Sequence, residues 1–122
     1  MLERGEVTPC LSAPDLARLR EALGLIRVTD QLIEYVVQVV RRTRTDDNVL
    51  VGAGPRATQS LLRASRAWAA LAGRDFVSPD DVRAVALPVI EHRLLLRPES
   101  ELEGMRASEV LDRILHEVPV PR

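Results

Sequence analysis

Ser78-Pro79-Asp80-Asp81 spells out the start of a helix: a hydroxyl to take a free amide, a proline whose fixed φ suits the first turn, and two acids facing the positive helix end. Similar punctuation recurs along the chain, at Ser12 two residues before Pro14, at Thr29-Asp30, and at Pro55 after Gly52-Ala-Gly54. Each start is followed by apolar residues three and four apart, the spacing of one helix face. The first stripe carries Leu16, Leu19, Leu23 and Leu25 and ends near Gly24. The second, Gln31 to Arg44, carries Leu32, Ile33, Val36, Val37, Val39 and Val40; its valines favour a strand, but its length and three-four spacing favour a helix, and Arg41, Arg42 and Arg44 suit a helix C-terminus. The third runs from Pro55 to Ala72 with Ala57, Leu61, Ala64, Trp68 and Leu71 on its stripe, closed by Gly73 in a left-handed conformation.

After Ser78, Val82, Val85 and Ala86 turn inward, and Pro88 is expected to stop or kink the helix, leaving Val89 to Glu91 as a separate turn. His92 to Arg97 is expected to be extended, with Leu94, Leu95 and Leu96 beside the short Asp75 to Val77 piece. A loop between Pro98 and Gly104 precedes a last helix from near Ser108, which presents Val110, Leu111, Ile114, Leu115 and Val118 before Pro119 and Pro121 end it. The fold class that follows is all-α, a small helical bundle with at most a short two-stranded β pairing. Residues 1–12 contain Gly5 and Pro9 without a sustained period and are expected to be a linker, so the domain proper is 13–122.

With 122 residues, one core is the expected number. Seventeen basic and eighteen acidic side chains leave a net charge of −1, which gives the chain no overall field to gather nucleic acid or an anionic membrane. Every basic residue is arginine, so lysine-based covalent catalysis is excluded while fixed two-pronged binding of carboxylate or phosphate is not. Cys10 is the single cysteine, which rules out an internal disulfide and a thiolate metal cluster and fits a reducing compartment. The apolar runs fall short of a membrane span and no signal pattern opens the chain, so a soluble, cytoplasmic protein is expected. His92 and His116 lie near no ligand set, the acids at 99, 101 and 103 belong to a solvated loop, and no catalytic constellation assembles from these residues; no metal site is expected.

Gly52-Ala-Gly-Pro-Arg-Ala57 matches the loose dinucleotide-binding pattern, but that pattern binds pyrophosphate only inside a parallel strand-helix-strand unit, which the following residues do not supply. What it does offer is a flexible approach to a helix N-terminus, whose free amides favour an anion, with Arg56 in the first turn beside it. On spacing alone, an ordinary turn with a solvated arginine is the competing interpretation.

The same stretch, followed by Leu61-Leu62-Arg63-Ala64, resembles the MoxR family of AAA+ ATPases. The likeness continues upstream at Tyr35 and Thr43-Arg44, and downstream at Gly73-Arg-Asp-Phe-Val-Ser-Pro-Asp-Asp-Val82, His92-Arg93, Glu101-Leu-Glu-Gly104, Ile114-Leu115 and Glu117-Val-Pro-Val-Pro-Arg122. The resemblance implies the C-terminal helical lid of such an ATPase, with residues 1–12 as the tail of a preceding core. The core's Walker A and Walker B motifs are not in this sequence, so ATP and Mg²⁺ belong to the full-length protein and neither is expected to bind tightly to this chain alone. The family's glycine-alanine-serine-proline-arginine stretch maps onto residues 52–56, with Gly54 in place of the usual serine. Gly54, Pro55 and Arg56 thereby become the nucleotide-binding candidates, and Arg56 the sensor-2 arginine, acting in catalysis only together with the core. The implied partners are that core, neighbouring subunits of a ring, and proteins with a von Willebrand factor A domain; the implied work is chaperone-like remodelling. The rival from a different class is a free-standing helical interaction or dimerisation domain.

Overall fold

A computed structural model describes residue 5 and residues 7–122. The linker expected over residues 1–12 lies partly outside these described residues. Six helices follow in order, α1 (Ala13–Leu23), α2 (Asp30–Thr45), α3 (Pro55–Leu71), α4 (Pro79–Ile90), α5 (Pro98–Leu102) and α6 (Ala107–Glu117), with short strands β1 (Val49–Val51) between α2 and α3 and β2 (Leu95–Leu96) between α4 and α5. The all-α class with one two-stranded pairing is therefore correct. Helices α2, α3, α4 and α6 pack around one core, each touching two of the others in a closed ring. That core is aliphatic: Leu32, Val36, Val39 and Val40 from α2, Leu61 from α3, Val82, Ala86 and Ile90 from α4, and Val110, Leu111 and Ile114 from α6 are all but sealed from solvent.

The helix starts are built as the sequence prescribes. Ser12 and Ser78 each close a reciprocal capping box, with Asp15 and Asp81 respectively, and the Thr29 hydroxyl accepts from the Leu32 amide. Gly73 takes φ +78°. There the amides of Gly73 and Arg74 donate to the carbonyls of Ala70 and Ala69, closing α3 with the paired bonds of a left-handed cap.

Six expectations need correction. His92 to Arg97 is not extended throughout, because Glu91–Arg93 form a single 3-10 turn that continues from the end of α4. Leu95 and Leu96 do not lie beside Asp75–Val77; they pair antiparallel with Val49–Val51, with an irregularity between Val49 and Val51. The Asp75–Val77 segment is already engaged, because the Arg27 amide donates to Asp75 O at 2.8 Å and the Val77 amide to Arg27 O at 2.9 Å. Pro88 does not stop α4, which continues to Ile90. Both Pro88 and Ala84, whose carbonyl the missing amide would have engaged, are exposed, so water can take the freed oxygen. Pro98 opens the short helix α5 instead of a loop.

The stripe on α3 is rotated from the expected one. Its buried row is Ala57, Leu61, Ser65 and Ala69, while Trp68 is 48% and Leu71 86% exposed. Small residues let the neighbouring helices approach closely, and the Ser65 hydroxyl is satisfied by donating to Leu61 O at 2.7 Å, so bulk is displaced to the rim. Finally, α1 forms with its cap but buries no side chain; Leu16 and Leu19 remain about half exposed.

Candidate functional site

The connection from α2 to α3 is fastened before it reaches Arg56. Thr43, fully buried near the end of α2, donates its hydroxyl to Val40 O at 2.6 Å and accepts the Ala53 amide at 3.0 Å. Gly52 lies so close to α2 that a Cβ there would come within 2.7 Å of the backbone of Arg44, so only glycine fits. Ala53 and Ala57 are both buried and bracket the exposed residues Pro55 and Arg56. Pro55 holds φ at the helical value, and the Ala57 amide closes the first bond onto Gly54 O at 2.9 Å.

Gly54 is the N-cap of α3 with extended φ −99° and no side-chain hydrogen bond, and a Cβ there would meet nothing within 4 Å. The departure from serine at this position is therefore not a steric requirement. Its effect is to leave the first amides of α3 without a side-chain cap. The first turn contains no acid, and its charged residue is Arg56. A cation here opposes the helix dipole by about 0.3–1 kcal/mol, so the fold itself gains nothing electrostatically from Arg56.

Some of the other arginines are used internally. Arg113 grips the buried carboxylate of Asp46 at 2.9 and 3.0 Å, Arg42 reaches the same carboxylate at 3.6 Å and Glu117 at 3.3 Å, and together they join the end of α2 to α6. Arg74 forks onto Asp81, donating to Oδ2 at 2.7 Å. This guanidinium, with the Ser78 amide and hydroxyl, holds the Asp81 carboxyl below its usual range against the opposing effect of burial. Arg56 has no such partner among the described residues. The pairing of Asp46 with Arg113 is not legible in the sequence, because partners 67 residues apart have no local signature.

Gly54, Pro55 and Arg56 are thus brought together at one exposed helix end. His92, His116 and Cys10 are exposed and lie elsewhere. Among the described residues, no cluster of three or more His, Cys, Asp or Glu has the arrangement of a metal site, and no helix is long and apolar enough to cross a membrane. The single partner of β1 is antiparallel, so the dinucleotide pattern at Gly52–Ala57 lacks the parallel sheet its chemistry requires.

The family of AAA lid domains matches residues 41–114, which include Thr43, the Gly52–Arg56 connection and most of α6. The chain is an AAA lid domain of the MoxR type. It is 36% identical over 121 residues to Chaperone MoxR1 of Mycobacterium tuberculosis, covering 92% of this chain and 32% of that protein. It is 34% identical over 113 residues to the uncharacterized protein YeaC of Bacillus subtilis, covering 93% of this chain and 35% of that one. In structure, it superposes with TM-score 0.85 and 28% identity on part of a Cytophaga hutchinsonii protein assigned as an ATPase, covering 89% of this chain and 36% of the other. The lid spans about a third of the length of these relatives.

Proposed function

We propose that residues 13–122 form the moving lid of an ATP-hydrolysing AAA+ ATPase, and that residues 1–12 are the tail of the core that precedes it. Arg56 is the sensor-2 arginine of this reading. ATP and Mg²⁺ are held on the core, and from this chain Arg56, with the backbone amides of Gly54 and Arg56 on either side of Pro55, is the part that meets the γ-phosphate. The residues suit that group: a planar guanidinium and a helix N-terminus both favour an anion, and neither is neutralised by a side chain among the described residues.

A guanidinium at that position stabilises charge as it develops on the transferred phosphoryl oxygens. Because its contact depends on the phosphate being present, it binds the two nucleotide states unequally and biases the angle of lid to core. In a ring of such subunits the bias passes to neighbours and drives chaperone-like remodelling of partner proteins in the cytoplasm, those with von Willebrand factor A domains among them. The chaperone name carried by the Mycobacterium tuberculosis relative supports this direction.

The observation that carries the proposal is an arginine in the first turn of an uncapped helix with no internal partner among the described residues, on a chain that matches the AAA lid family. In the full-length ATPase, Arg56→Ala is expected to lower ATP turnover by about 10²-fold or more while the circular dichroism and melting temperature of the protein are retained. Unchanged turnover removes Arg56 from the reaction.

A further inference from the structure

Resting on that reading of Arg56, we infer that Thr43 and Gly52 are positioning residues for it, forming a rigid mount that carries the order of α2 to the arginine. The path is short. Thr43 is fully buried, so the bond from the Ala53 amide to its hydroxyl is closed to competition from water. The same hydroxyl donates to Val40 O, which fixes its orientation and leaves its lone pairs facing Ala53. One residue further back, Gly52 rests directly on Arg44, so the connection is pressed against α2 by contact as well as drawn to it by the hydrogen bond.

From Ala53 to Arg56 the freedom remaining is small. Ala53 and Ala57 are sealed into the core on either side, Pro55 has one permitted φ, and Gly54 is the one adaptable link. Loosening either hold on α2 therefore moves the base of Arg56. The core of α3 stays in place, because Leu61, Ser65 and Ala69 anchor the helix further along. Misplacement of this kind acts on a reacting group without touching it, and a displacement of about 1 Å can cost about 10²-fold in rate.

The test uses the full-length ATPase with four variants: Thr43→Val, which keeps the shape and removes the hydroxyl; Thr43→Ser, which keeps the hydroxyl; Gly52→Ala, which pushes the connection off Arg44; and Arg56→Ala. Thr43→Val is expected to lower kcat by about tenfold with KM for ATP changed by less than about twofold, and to abolish the slow hydrogen exchange of the Ala53 amide. Thr43→Ser is expected to restore both. Gly52→Ala is expected to slow turnover similarly with the hydroxyl intact. The deciding measurement is the double variant: in an Arg56→Ala background, Thr43→Val and Gly52→Ala should have no further effect on kcat, because the group they position is gone.

Equal losses with and without Arg56 would overturn the inference and make Thr43 a stability residue only, as would unchanged turnover in Thr43→Val once the Ala53 amide exchanges freely. If Arg56→Ala itself leaves turnover unchanged, the sensor reading falls and the mount falls with it; if Arg56→Ala slows the enzyme and the mount variants do not, the mount alone is wrong. Should Thr43→Val fail to fold, Gly52→Ala in the two Arg56 backgrounds decides the same question.

Discussion

Helices α3 and α4 both begin with a proline and both have an arginine close by, yet their starts are electrostatic opposites. At α4 the Ser78 hydroxyl and the Asp81 carboxylate satisfy each other's amides, and Arg74 closes on Asp81 from outside. The positive helix end, the acid and the guanidinium are all matched within the chain. At α3 the cap is a glycine, the first turn holds no acid, and Arg56 adds positive charge to an end that is already positive. On the function proposed above, the difference separates a helix start that serves the fold from one suited to a ligand: the first is neutralised where it stands, and the second is left open to an anion.

The contrast can be broken most strongly at α4. Asp81→Ala removes the acceptor for Ser78 and for the Arg74 fork together, and is expected to lower the unfolding free energy of the isolated chain by about 2–3 kcal/mol in urea denaturation. A loss below about 1 kcal/mol would mean that the α4 start is no better matched than that of α3.

Acid titration probes the same site more gently. The folded Asp81 carboxyl lies below its ordinary value of 3.8, chiefly through Arg74, so between the two values the unfolded chain binds more protons. Its contribution is complete above about pH 4 and is lost as pH falls through the lowered folded value. Stability measured from pH 5 downward should therefore fall more steeply in the wild type than in Asp81→Asn; parallel curves would remove Asp81 as the cause.

The smallest effect sharpens the comparison at α3. Arg56→Asp replaces a cation by an anion in the first turn and is expected to raise the stability of the isolated chain by about 0.5 kcal/mol, while turnover of the full-length ATPase collapses. A loss of stability would show that Arg56 already has a favourable role in the fold.

Much of this was legible in the sequence because helix starts are written locally. Ser12, Thr29, Ser78 and Gly73 act within a few residues of themselves, and each does what its chemistry prescribes. The elements that escaped depend on distant partners. Asp75–Val77 had a free edge in sequence terms, but Arg27 took it, which left Leu95 and Leu96 for β1. The face of α3 was misjudged because hydrophobicity favours Trp68, whereas close helix packing favours Ser65 and Ala69. For the site, residues 54–56 stand out in the sequence, and Thr43 stands out through the family resemblance, but its bond to Ala53 is visible only in the fold.

The contrast between α1 and the rest also bears on how this chain opens. The helix buries no side chain, and the segment after it is held by two backbone bonds through Arg27 to Asp75–Val77 and by the half-buried Ile26 and Val28, with an exposed Arg27–Asp75 pair that adds little. Its unfolding is then a separate, low-cost event. The amides of α1 are therefore expected to exchange through local fraying, and those of α2 and α6 only when the whole bundle comes apart, which native-state hydrogen exchange would read. The lid thus has two stabilities, and a protease that clips α1 samples the lower one.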